Sequence, residues 1–350
     1  MKNQCIGIDC GKQFHVASLG QRKPDGHIQN VSSLKFNNSK SGFIKLNRWI
    51  KKNCDEHAGV VLEATGVYHE TLACFLVDHG FYVSVVLPNR ARYFAKTLKI
   101  KTVTDKVSAE SLATMGLEKK LDRWNKPDPL FNHLRQLTRE RDQLIQERTA
   151  IKCQLHAETS GAWPNRESIK RMKHRIVLIN KQKGEVESEI KKIIDTNEEI
   201  KNRIQHPASA IGVGLITAAT VLAETNGFAL IRNKKQLVSY AGLDVVEKQS
   251  GISVRGKSRI SHHGNKYLRK CLHFPALTAI KHSAEHKTLF VRLVSKHGIK
   301  MKAAVAVQRK LLVLIYTLWK NKTFYDPEFE IKKSRNELGQ SRRTAPMELA

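Results

Sequence analysis

From Leu130 onward the apolar residues of this chain recur in alternating steps of four and three. Positions 130, 134, 137, 141, 144, 148, 151 and 155 follow that rule, and six of the eight are Leu or Ile. Positions 169, 172, 176, 179, 183, 186, 190, 193, 197, 200 and 204 repeat it, interrupted only by Lys183 and Asn197. A seam of this period is buried by another helix lying alongside it, not by a sheet. Gly161-Ala162-Trp163-Pro164 separates the two runs and supplies a reversal. The spacing therefore predicts an antiparallel helical hairpin or coiled coil, or else two amphipathic helices of a bundle, over 126–205. In either form it is an arm for spacing or self-association, and the rest of the chain must fold on either side of it.

Before the arm, residues 1–125 alternate strand and helix signals. Cys5–Cys10, Phe14–Leu19 and His27–Phe36 read as three strands joined by Gly-containing turns. Ser39 to Lys52 carries a helical stripe at Phe43, Leu46, Trp49 and Ile50, capped by Ser39 or Ser41. A strand at Val60–Glu63 and a helix from Val67 to His79 follow. A strand at Phe81–Leu87, stopped by Pro88, precedes helices over Asn89–Leu98 and Asp105–Lys119. The order βββαβαβαα predicts a mixed sheet with helices on its faces.

After the arm, residues 206–325 read as helical and basic, and 326–350 as a loosely ordered tail rich in Glu, Ser, Arg and Pro. Ile211-Gly212-Val213-Gly214 divides two apolar stretches as a helix-hairpin-helix would, and the backbone N–H groups at Gly212 and Gly214 could hold a phosphate. Between Ile231 and Lys320 there are 19 Lys or Arg against Asp244, Glu247 and Glu285. The whole chain carries a net charge of +29. Clustered charge of this size makes a polyanion the expected partner. No apolar run reaches the roughly 18 residues of a membrane span, and Asp9 interrupts any signal-peptide stretch. The six cysteines have no CxxC spacing, which points to reduced thiols in a cytoplasmic compartment and away from zinc.

Three of the scarce acids stand where metal chemistry would need them. Asp9 closes Ile6-Gly7-Ile8-Asp9, Glu63 closes Val60-Val61-Leu62-Glu63, and Asp105 opens a later helix. Two strand-end carboxylates on neighbouring strands, joined by a third, would make a hard oxygen site for Mg²⁺ or Mn²⁺. Each acid alone is better explained as a cap or a solvated side chain, and it is the three together that favour a metal. Ser250, set among Lys248, Arg255, Lys257 and Arg259, could be a phosphate-contacting hydroxyl. Tyr240, in the run Leu237-Val238-Ser239-Tyr240-Ala241, reads as a core residue. His262 and His263 read as phosphate contacts or helix caps.

Gly7-Ile8-Asp9-Cys10-Gly11-Lys12-Gln13-Phe14-His15, Leu62-Glu63-Ala64-Thr65-Gly66-Val67-Tyr68 and Thr104-Asp105-Lys106 resemble the signature segments of the DEDD transposases. These form the IS110 insertion-sequence family, related to the Piv DNA invertases. Gln249-Ser250-Gly251 and His263-Gly264-Asn265-Lys266-Tyr267-Leu268-Arg269 resemble that family's C-terminal domain, so the likeness runs to about Asp326. The resemblance implies a RuvC-like domain of RNase H-like α/β fold over 1–125, ahead of the coiled-coil arm and a mostly α-helical transposase domain over 206–325. It implies Asp9, Glu63 and Asp105 as catalytic metal ligands and Ser250 as a nucleophile that forms a phosphoserine link to DNA. The family's fourth acid falls at Ser108, a much poorer ligand for Mg²⁺, and Glu110 lies about 140° away around an ideal helix from the third. Lys12, Gly212, Gly214, Lys248, Arg255, Lys257, Arg259, Lys266 and Arg269 are the expected nucleic-acid contacts.

The same resemblance implies donor and target DNA as substrates, a bridge RNA as guide, and a dimer or tetramer in which different subunits complete one site. The expected activity is that of a site-specific recombinase. A junction endonuclease using water, or a catalytically impaired nucleic-acid-binding relative, are the alternatives that the residues leave open.

Overall fold

The structure, a computed structural model, describes residues 3–55, 57–99, 101–229, 231–247, 249–250, 254–256 and 259–329, and for 254 and 255 the backbone alone. Two compact units meet in sequence at Lys126 and Pro127.

In the first unit β1 (Gln4–Cys10), β2 (Phe14–Arg22) and β3 (Ile28–Asn37) form an antiparallel meander. After α1 (Lys40–Asn53), β4 (Gly59–Glu63) returns parallel to β1. After α2 (Glu70–Asp78), β5 (Tyr82–Val86) lies parallel to β4. The sheet order is β3-β2-β1-β4-β5, with β2 alone running against the rest. This is the RNase H-like order that the resemblance implies. The central strands β1 and β4 are buried on both faces and are correspondingly apolar apart from Gln4, Asp9 and Glu63 near their ends. The outer strand β3 alternates toward solvent.

Each face of the sheet has its own helices. Phe43, Leu46 and Ile50 of α1 and Leu72, Ala73 and Leu76 of α2 pack with Ile6, Ile8, Val60 and Leu62. On the other face α3 (Pro88–Thr97) and α4 (Asp105–Glu118) bring Ala91, Phe94, Leu112 and Met115 onto Cys5, Val61 and Val86. Gly7 is what lets α4 lie so close. A β-carbon there would fall 2.0 Å from the Ala109 carbonyl oxygen and 2.3 Å from the Ala113 nitrogen. Ser39 caps α1 by accepting from the Gly42 N–H at 3.3 Å. Pro88, expected to stop the preceding strand, also opens α3 at a position where its missing N–H costs nothing.

The second unit begins with α5 (Pro129–Ser160) and α6 (Arg166–Thr196), of 32 and 31 residues, paired as an antiparallel hairpin. At 1.5 Å per residue α5 is about 48 Å long. Leu134, Leu137, Leu144 and Ile151 are buried along its seam, with Ile179, Val186, Ile190 and Ile194 from α6. The two interruptions in the repeat have physical explanations. Lys183 donates to Glu187 at 2.8 Å, and Glu187 also receives Arg141 across the hairpin at 2.6 Å. Asn197 ends α6 and caps the separate helix α7 (Glu198–Ala208), accepting from the Ile200 N–H at 3.0 Å.

Beyond it lie α8 (Leu215–Thr225) and α9 (Lys234–Tyr240), and then short strands in a block read from sequence as helical. There β6 (Val245–Val246) pairs with β9 (Arg259–Ile260), and β7 (Gln249–Ser250) pairs with β8 (Val254–Arg255) inside it. Four helices follow, α10 (Lys266–Cys271), α11 (His273–His282), α12 (Ala284–His297) and α13 (Lys300–Asn321). Leu311, Leu312, Ile315 and Trp319 of α13 share a core with Ala218, Leu222, Phe228 and Leu237. Among the described residues no helix is long and apolar enough to cross a membrane. The tail over 330–350 lies outside the described residues. Cys5 and Cys10 are buried as expected of core thiols, whereas Cys153 is exposed on the arm.

Candidate functional site

The three acids come to one edge of the first unit. Ile8 of β1 pairs with Leu62 of β4, so Asp9 and Glu63 are the next residues of adjacent parallel strands. Residues two apart share a face of a strand. Asp9 is therefore on the face of Gly7 and Cys5, and Glu63 is on that of Val61, the face that α4 covers. The direction of α4 places Asp105 at the same level. Ala109 and Ala113 lie over Gly7 and Gly116 lies over Cys5, so the helix runs back along β1 from the Asp9 end. Thr104 caps α4, its hydroxyl accepting from the Val107 N–H at 3.3 Å. The Asp105 carboxylate is thus not the cap that a lone helix-start acid would be.

The electrostatics register this gathering. Asp9 is raised from its ordinary value of 3.8 to about 6, first by burial and then by the charges of Glu63 and Asp105. The N–H of Cys10 works in the opposite direction. Burial beside Asp9 also pushes the Cys10 thiol up, which keeps it protonated and unreactive. Glu63 accepts from the Thr65 hydroxyl at 3.3 Å. Among the described residues no group of three or more His, Cys, Asp or Glu side chains stands close enough to hold a metal as it is. The three share a face and a field without closing on one point. Their donor type suits a hard divalent cation, which would offset the charges of Glu63 and Asp105 that, after burial, raise Asp9. Ser108 lies three residues after Asp105, on the same side of α4. Lys12 is exposed in the turn that follows β1.

Ser250 sits in the second unit, exposed on the inner strand of the β6–β9 reversal and paired with Val254. Lys248, Gly251, Ser253, Lys257 and Ser258 lie outside the described residues, as does the side chain of Arg255. Arg259 pairs through its backbone with Val246 and exposes its side chain. Ser261 donates to Asp244 at 2.5 Å and so is committed to the base of the hairpin.

Several other residues expected to touch nucleic acid are engaged in holding the fold. The Arg269 guanidinium donates to the Ala241 carbonyl at 2.8 Å. Gly212 has φ +88°, and a β-carbon there would fall 2.4 Å from the Pro275 carbonyl oxygen, so its smallness serves packing against α11. Gly214 is the N-cap of α8 with open space above it, and Lys266 is exposed. His262 and His263 are exposed and neither caps α10. Asn265 does, accepting from the N–H groups of Tyr267 and Leu268 at 2.9 and 3.2 Å. Tyr240 is 37% exposed, and its hydroxyl donates to the Glu224 carbonyl at 2.9 Å, a structural bond for a side chain expected in the core.

The sequence reading missed Glu224 altogether. Its side chain is buried, and it accepts two bonds from Arg139 at 2.7 and 2.8 Å and one from Asn265 at 2.6 Å. The Arg139 guanidinium also stacks 4.5 Å over the Tyr267 ring. One carboxylate thereby ties α5, α8 and the start of α10 together. The available signal was a lone acid within the apolar run Ala218 to Thr225.

The chain matches two family models. Residues 6–164 match the DEDD IS110 transposase model, and residues 208–291 match the model described as the transposase IS116/IS110/IS902 family. It is 29% identical over 336 residues to the pilin gene-inverting protein of Moraxella bovis, covering 93% of this chain and 98% of that one. It is 22% identical over 156 residues to an IS110 insertion-element protein of Streptomyces coelicolor, covering 43% of this chain and 36% of that one. The solved structure of Thermus thermophilus RuvC covers 35% of this chain and 99% of its own length, at 11% identity and a TM-score of 0.28. The two matched segments span more than half of the sequence and include all three strand- and helix-end acids and Ser250. With the likeness to the gene-inverting protein over nearly its full length, they place the chain in the IS110 family of transposases.

Proposed function

We propose that this transposase is a site-specific DNA recombinase that cuts and rejoins strands through Ser250, with a divalent cation held by Asp9, Glu63 and Asp105. The observation that carries the reading is the placing of Asp9, Glu63 and Asp105 on one face at one edge of the sheet, with Asp9 raised first by burial and then by the other two charges. Mg²⁺ or Mn²⁺ bound there would supply charge stabilisation to a phosphodiester undergoing displacement. The relatives named as pilin gene-inverting proteins support rejoining over simple hydrolysis.

In the proposed step the Ser250 oxygen attacks a DNA phosphorus, a phosphoserine bond forms, and the P–O bond to one sugar breaks. The serine proton ends on the departing sugar hydroxyl. A hydroxyl from the other DNA end then attacks the phosphoserine and returns a proton to Ser250, so the number of phosphodiester bonds is unchanged. The exposure of Ser250 on a hairpin fits a nucleophile that must reach a strand. Exposed Arg259 and Lys266 and the open N-terminus of α8 at Gly214 would take the phosphates of DNA or of a guide RNA. The arm over 129–196 would join copies of the chain.

Ser250→Ala tests the reading. It should abolish strand exchange and the covalent protein–DNA adduct on a suicide substrate while leaving DNA binding intact. A Ser250→Ala protein that still recombines would exclude the nucleophile, and free cut ends without an adduct would favour hydrolysis by water.

A further inference from the structure

We infer that α3 holds an unpaired stretch of DNA strand beside the acidic edge, with Tyr93 as the platform on which a base stacks. The inference rests on the reading of that edge as the place where DNA is held for cutting.

Position comes first. Val86, the last residue of β5, pairs with Glu63, and α3 begins two residues later at Pro88. Ala91 and Phe94 turn into the same core that α4 covers, so α3 lies on the face of the sheet that carries the acids. The opposite side of this helix faces solvent with a particular chemistry. Tyr93 is 61% exposed, and Arg92 and Lys96 each lie 6.0 Å from its ring centroid. Arg90 stands one turn earlier on the same side and is exposed.

Charge selects the occupant. From Phe81 to Thr104 the chain has five Lys or Arg and no Asp or Glu, next to an edge where three acids gather. A row of cations with no acid in its own segment offers phosphate neutralisation. An exposed aromatic ring between those cations offers stacking, the pairing of features found where single-stranded nucleic acid is bound without sequence preference. A duplex keeps its bases stacked on one another and has no use for Tyr93. DNA rather than RNA is assigned because the helix adjoins the edge where the phosphodiester is cut.

The test uses the full chain in chelator, so that binding is read without cutting. Fluorescence anisotropy follows labelled oligothymidylate, a duplex of the same length and oligouridylate of the same length. Tyr93→Ala should weaken oligothymidylate binding about tenfold, in the range of one lost stacked base, and leave the duplex almost unchanged. Tyr93→Phe should bind like the parent, because the ring face is kept. Arg90→Ala and Lys96→Ala should weaken all three probes and flatten the salt dependence. Tyr93 is exposed, and unchanged thermal melting of Tyr93→Ala would establish that folding is intact.

Equal effects on duplex and single strand, or none, overturn the stacking role. A larger loss with oligouridylate than with oligothymidylate overturns the assignment to DNA. If Tyr93→Ala changes nothing while Ser250 still forms its adduct, the α3 assignment falls and the recombinase reading stands. If the parent chain forms no adduct yet the Tyr93 effect persists, the strand-binding role of α3 stands alone.

Discussion

Above about pH 6 Asp9 carries its charge at a cost to the fold. Burial and two neighbouring carboxylates keep its proton on until about pH 6, against 3.8 ordinarily. A raised acid favours the folded state only while protonated. Its contribution is fullest below about pH 4, fades as pH rises to 6, and is absent above. Asp9→Asn removes the penalty, so in chelator at pH 8 it should be more stable than the parent by on the order of 1 kcal/mol. The whole shift corresponds to about 3 kcal/mol, and solvent around the partly exposed carboxyl screens much of it. Melts across pH 4 to 8 check this; a gain that fails to shrink toward pH 4 would contradict it. Glu224 is a buried acid fully engaged by hydrogen-bond partners. Arg139→Ala would leave that buried carboxylate with the Asn265 amide alone, and should cost about 3 kcal/mol in chemical denaturation. Asp9, Glu63 and Asp105 were legible from their strand- and helix-end positions. Glu224 was not, because a buried ion pair depends on partners 85 and 41 residues away.

Among the elements, α4 does most to build the candidate site, since its closeness to β1 sets the level of Asp105. Gly7→Ala would drive a methyl group into the Ala109 carbonyl and force helix and sheet apart. It should cost about 3 kcal/mol or more and lower metal affinity at the acidic edge, read by Mn²⁺ titration of whatever protein stays folded. An unchanged affinity in a folded Gly7→Ala protein would show that α4 does not position the site. The strands and helices of the first unit were legible from short apolar runs for the strands, the apolar stripe of α1, and capping or breaking residues such as Ser39 and Pro88. The hairpin that presents Ser250 was not, since its strands are two residues long and give no period to count. The arm's repeat was legible along both helices, but the break at Asn197 passed as one polar position in an otherwise regular seam.

For the whole molecule, net charge and the matched family agree on nucleic acid as partner, and the acidic edge is the exception that makes sense of both. A chain of charge +29 brings three carboxylates to one edge, where Asp9 is raised by burial and by its two neighbours. The central claim is that the three share a cation. Anomalous diffraction from crystals of the full chain grown with Mn²⁺ measures it directly. One Mn²⁺ peak is expected at coordination distance from carboxylate oxygens of Asp9, Glu63 and Asp105 together. A fully occupied Mn²⁺ elsewhere, with that edge empty and its three side chains turned apart, would contradict it.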